Sequence, residues 1–104
     1  MNTPASQVLV VEDDPRLPEV LASLLRDENI TLVTATNAVA ALRLARTRSF
    51  DLILLDLGLP DANGFELLRQ LKESPATQSI PVIVLSAWNS SSDTNRSLLP
   101  TETI

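Results

Sequence analysis

Val8-Leu9-Val10-Val11-Glu12-Asp13-Asp14-Pro15 joins an unbroken apolar run to three acids and a proline. A short continuous apolar run fits a strand buried on both faces, as in parallel sheets. Pro15 stands where a helix can begin, because its fixed φ and missing N–H are tolerated in a first turn. Leu52-Ile53-Leu54-Leu55-Asp56 repeats the arrangement, an apolar run closed by an acid. Carboxylates set directly after buried strands repel one another and are poorly solvated, so clustered charge destabilises the fold unless a cation is bound. The residue types therefore point to a divalent metal beside a reactive aspartate.

Outward from these runs, strand and helix patterns alternate. Leu17, Val20, Leu21, Leu24 and Leu25 recur at helical spacing, and Ile30–Ala35 reads as a second strand, more exposed because of Thr31 and Thr34. Asn37 is suited to cap a helix over Ala38–Arg48 with the apolar stripe Ala38, Ala41, Leu42 and Ala45. Leu52–Leu55 is the most hydrophobic run and is expected at the centre. Phe65, Leu67, Leu68 and Leu71 give a third helix after Gly64, and Pro81–Leu85 a fourth strand with its proline at the start. Such alternation predicts an α/β fold, a parallel sheet with helices on both faces.

Composition narrows the function. The 104 residues suit one small domain, and 44% hydrophobic residues suffice for a core. Net charge −5 argues against a nucleic-acid surface. With no histidine and no cysteine, disulfides, zinc sites and Ser-His-Asp catalysis are excluded. No apolar run approaches the roughly 18 residues of a membrane span, and MNTPASQ lacks the features of a secretory signal, so a cytoplasmic location is expected. Two glycines cannot build a phosphate-binding loop or a dinucleotide fingerprint. A calcium loop counted back from Gly64 would begin at Leu59, which cannot ligate calcium.

Three segments, in order, carry a resemblance: Val8–Pro15 with its acids, Leu52–Gly64 around Asp56, and Pro81–Ala87 ending in Ser86. Together they resemble the receiver domain of bacterial two-component response regulators, over about residues 7–88, leaving 89–104 as a divergent tail. The resemblance implies a flavodoxin-like α/β/α fold in which the parallel strands stand in order 2-1-3-4. It implies that the ends of strands one and three meet at the topological switch point. It further implies Asp56 as phosphoacceptor and Mg²⁺ held by Asp13, Asp56 and the Gly58 carbonyl, with Glu12 acting through water. Ser86 would be the hydroxyl that senses the phosphoryl group, and the small Ala87 would leave room for phosphate to enter. The implied partner is a sensor histidine kinase or phosphotransfer protein, with no direct nucleic-acid or membrane contact, and the domain would be a signalling module rather than an enzyme.

Plainer readings stand beside these. Glu12 and Asp13 can favour the first helix's N-terminus, Asp14 reads as a helix-start acid, and Gly58 and Gly64 as turn glycines. Arg43, Arg46 and Arg48 read as a solvated face and Trp88 as a packing residue. The chain also departs from the family pattern. By family spacing the Lys-Pro that closes a fifth strand would fall past Ile104; the sole lysine is Lys72, about 12 Å along a helix from Gly64. Arg16 is the nearest other cation, with nothing to direct it inward. A fifth strand and fifth helix are thus expected to be missing, the fourth strand to form a bare edge, and self-association through that edge to follow. The alternative function is a truncated receiver that does not switch by phosphate, acting as an interaction module or a non-functional fragment. A magnesium phosphohydrolase would need a second acid where Gly58 stands.

Overall fold

The structure is a computed structural model that describes residues 4–59 and 64–85 and the backbone of 101–103. The elements are β1 (Ser6–Val11), α1 (Arg16–Leu24), β2 (Ile30–Ala35), α2 (Ala38–Thr47), β3 (Leu52–Asp56), α3 (Gly64–Glu73), β4 (Val82–Leu85) and β5 (Thr101–Thr103). The sheet runs in the order β2-β1-β3-β4-β5. Its first four strands are parallel, with Val11 level with both Ala35 and Leu55, and Asp56 level with Leu85. The expected parallel order 2-1-3-4, with β3 at the centre, is therefore present.

Helix positions follow from chain direction. The β1–β2 crossover moves one way along the sheet and the β2–β3 and β3–β4 crossovers move the other. Right-handed connections then put α1 on one face and α2 and α3 on the opposite face. Alternate strand residues divide accordingly. Leu9, Val11, Ile53, Leu55, Val82 and Val84 form the main core with Ala38, Ala41 and Ala45 of α2 and Leu67 and Leu71 of α3. Asn37 caps α2 as its sequence suggests, its Oδ1 accepting from the Ala40 N–H at 2.8 Å. Beyond α3, the buried Thr77 hydroxyl donates to the Leu71 carbonyl at 2.6 Å, closing the helix end.

The second face is thinly covered. Val8 and Val10 are buried there, but Leu52, Leu54, Ile83 and Leu85 are only half-buried. α1 buries none of its residues, and Val20 and Leu24 of its apolar stripe are 53% and 72% exposed. A helical apolar spacing identifies the helix; only a neighbour on each side of it can bury the stripe.

One expectation is corrected at the sheet edge. β4 is not bare, because Thr101–Thr103 pairs with it antiparallel, Val84 standing level with Glu102. A fifth strand is therefore present, though not the parallel one of a further strand–helix unit. The outward N–H and C=O groups of β4 need partners, and the antiparallel pairing with Thr101–Thr103 supplies them.

Candidate functional site

Register brings the acids together. Val11 and Leu55 are level in adjacent parallel strands, so the chain leaves β1 at Glu12 beside the point where β3 ends at Asp56. The Glu12 N–H donates to the Ala35 carbonyl at 2.9 Å, which carries the sheet pattern one residue past β1. Glu12, Asp13 and Asp56 each offer a carboxylate oxygen, all within 4.8 Å of one another. Glu12 and Asp56 are half-buried and Asp13 is exposed. The Asp14 N–H donates to Glu12 Oε2 at 3.1 Å, and the Gly58 N–H to Asp56 Oδ1 at 3.1 Å. Each half-buried acid is thus fixed by the backbone two residues further on.

Among the described residues, the nearby cations Arg16 and Lys72 are engaged away from the cluster. Arg16 is engaged by Asp14, whose Oδ1 accepts from both its backbone N–H (2.9 Å) and its Nε (3.0 Å). This pairing holds the Asp14 carboxyl down at about 2 and confirms it as a helix-start acid. Lys72 Nζ donates to the carbonyls of Gln78 (3.3 Å) and Ile80 (3.1 Å), at the far end of α3. Three all-oxygen, anionic donors open to water fit a hard divalent cation such as Mg²⁺, which keeps several waters, and offer nothing to a soft metal.

Glu12 registers the crowding. Burial above all, then the charge and hydrogen bonding of Asp56 and the hydrogen bond with Asp13, push its carboxyl up to about 7, against an opposing hydrogen bond from the Asp14 backbone. A carboxyl raised in the folded state holds an extra proton between its unfolded value, 4.5, and about 7, so rising pH removes stability across that window. Asp14 and Glu66, both lowered to about 2 chiefly by Arg16 and Arg69, have the opposite sign: their contribution is present above about pH 4 and is lost as pH falls. Metal-free protein should therefore melt highest at about pH 4.5, where the windows meet. Saturating Mg²⁺ should flatten the decline above that pH, because the cation favours ionised Glu12. Melting curves in chelator and in Mg²⁺ check this; a metal-free Tm that rises from pH 5 to 7.5 would contradict it.

Among the sequence candidates, Glu12, Asp13 and Asp56 converge, and Gly58 lies beside Asp56. Ser86, Ala87 and Trp88 lie outside the described residues. Gly64 has a different part from the one its sequence context suggests. Among the described residues no glycine has a positive φ, so it is not needed as a left-handed turn residue. An ideal Cβ on Gly64 would lie 2.5 Å from Leu57 Cα, so it is the close approach of α3 to the β3 end that requires glycine.

With this geometry in place, comparisons with known proteins become informative. A family model for the response regulator receiver domain matches residues 8–100. The chain belongs to the response regulator receiver domain family. The KDP operon transcriptional regulatory protein KdpE of Escherichia coli K12 is 41% identical over 88 residues, covering 85% of this receiver and 38% of that protein. The probable transcriptional regulator ycf29 of Pyropia yezoensis is 38% identical over 87 residues, covering 84% of this receiver and 39% of that regulator. The receiver thus spans about two fifths of the length of these relatives. Among solved structures, the receiver domain of a Pseudomonas aeruginosa PAO1 sensor histidine kinase, with a magnesium ion coordinated in its active site cleft, superposes with TM-score 0.72 at 27% identity, covering 78% of this chain and 66% of that one. The non-phosphorylated HemR receiver domain of Leptospira biflexa gives TM-score 0.69 at 34% identity, covering 78% and 64%. Receivers are signalling modules of two-component systems, and this chain is one of them. No helix among the described residues is long and apolar enough to cross a membrane.

Proposed function

We propose that this receiver accepts a phosphoryl group on Asp56 from a sensor histidine kinase or phosphotransfer protein in the cytoplasm, with Mg²⁺ as cofactor. The convergence of Glu12, Asp13 and Asp56 carboxylate oxygens within 4.8 Å carries this reading. An Asp56 oxygen attacks the donor phosphorus, a P–O bond forms, and the bond from phosphorus to the donor's nitrogen or oxygen breaks. The donor keeps that electron pair and takes up a proton. Two anions must meet for this, so charge neutralisation and in-line placement dominate the barrier. Asp13, Asp56 and the Gly58 carbonyl would hold Mg²⁺ directly and Glu12 through water, and the ion would supply that neutralisation. The Gly58 N–H holds one Asp56 oxygen and leaves the other to react. Ser86 serves as the hydroxyl that meets the transferred phosphoryl group, and residues 1–104 act as one receiver-like domain.

A second reading is a receiver that takes part in interactions without switching by phosphate. Lys72 donates to carbonyls at the far end of α3, so among the described residues no lysine is aimed at Asp56, which favours it. Incubation with acetyl phosphate and Mg²⁺, followed by intact mass measurement, separates the two. The expected result is one phosphoryl adduct on the wild type and none on Asp56→Asn. A wild type that binds Mg²⁺ but gains no adduct would leave the second reading standing.

A further inference from the structure

We propose that Gly64 is a positioning residue for the carboxylate site, an inference that rests on the Asp56–Mg²⁺ reading above. The ideal Cβ at Gly64 would meet Leu57 Cα at 2.5 Å, the Leu57 carbonyl oxygen at 2.9 Å and the Asp56 carbonyl oxygen at 3.0 Å. All three are backbone atoms, so no side-chain rotation relieves the contact. The Gly64 N–H also donates to the Leu57 carbonyl at 3.1 Å, which ties the first residue of α3 to the residue between Asp56 and Gly58. Leu57 is thus gripped on one side by α3, while its two neighbours join through the Gly58 N–H to Asp56 Oδ1 bond. The missing side chain lets α3 seat the loop that presents the Asp56 carboxylate and the Gly58 carbonyl.

A methyl group there would displace the Leu57 backbone, and with it both proposed ligands. Sites of this kind need their groups held within about 0.5 Å of productive geometry, and Mg²⁺ tolerates little departure from octahedral order. Glycine at this place therefore serves the site as well as the packing of α3.

The test compares Gly64→Ala with Leu67→Ala, which removes a buried side chain from the same helix but leaves the backbone approach of Gly64 to Leu57 unaltered. Mg²⁺ affinity is measured by calorimetry at a temperature where both variants are folded. Gly64→Ala should lose at least tenfold in affinity and shift the amide resonances of Asp56, Leu57 and Gly58, while Leu67→Ala stays within about threefold of wild type. Affinity within twofold of wild type in Gly64→Ala, or equal losses in both variants, would overturn the proposal. A wild type that fails to bind Mg²⁺ would instead remove the reading beneath it, and the amide shifts would still report on positioning. Should Gly64→Ala not fold, hydrogen exchange on the wild-type chain decides. Gly58 and Gly64 amides are expected to open together and to slow together on Mg²⁺ addition, and independent opening would refute the link.

Discussion

Asp13→Asn should lower Mg²⁺ affinity and at the same time make the metal-free protein more stable. The acid is exposed, and its carboxylate lies within reach of Glu12 and Asp56. Without metal and above about pH 7, where Glu12 is ionised too, three clustered carboxylates repel one another; in a water-like dielectric a unit-charge pair at about 4 Å interacts by about 1 kcal/mol. Neutralising one therefore relieves up to about that much per neighbour, less what salt screens. With Mg²⁺, the same change removes a proposed ligand. Loss of an outer partner of a metal ligand already costs roughly ten- to a hundredfold in affinity, and a direct ligand should cost at least that much. Calorimetric titration and chelator-treated melts read the two effects separately. An Asp13→Asn protein that binds Mg²⁺ like wild type would show that Asp13 takes no part in holding the ion.

Ile53→Ala is expected to give the largest loss of stability from a single truncation. Ile53 is fully buried on the central strand, level with Leu9 of β1 and Val82 of β4. Such truncations cost about 2–5 kcal/mol, according to how far the surroundings collapse into the space. The upper half of that range is expected here, because α2 faces the core with Ala38, Ala41 and Ala45, whose methyl groups cannot fill a void. Small domains hold only about 5–15 kcal/mol in all. The urea midpoint should fall sharply with little change in slope. Leu24→Ala, at a 72% exposed position on α1, should change stability by less than about 0.5 kcal/mol. Equal losses for the two variants would mean that the core does not sit where alternate residues of β1, β3 and β4 place it.

Much of this was legible in the chain before folding was considered. Val8–Val11 and Leu52–Leu55 announced buried parallel strands because no polar residue interrupts them, and Asn37 announced α2 through its capping oxygen. The acids closing those strands announced a cation site, because solvation alone leaves such clustering costly. α1 was legible as a helix but not as an exposed one, since periodicity describes the helix and not its neighbours. The pairing of Thr101–Thr103 with β4 was hidden because three residues carry too little pattern to declare a strand or its direction. Gly64 was misread because Asn63-Gly64 has the composition of a turn, and a close backbone approach leaves no trace in sequence.

The sequence by itself determined which segments are strands, which residue types end them, and hence that negative charge accumulates at one end of the sheet. Those are local properties, set by side-chain size, polarity and spacing. Only the tertiary structure decided that the Glu12, Asp13 and Asp56 carboxylates meet, that Arg16 and Lys72 are occupied elsewhere, and that α3 presses on Leu57 where no Cβ could stand. Those facts depend on strand register, which brings Glu12 beside Asp56 from a distant part of the chain, and on how helices and side chains settle against their neighbours.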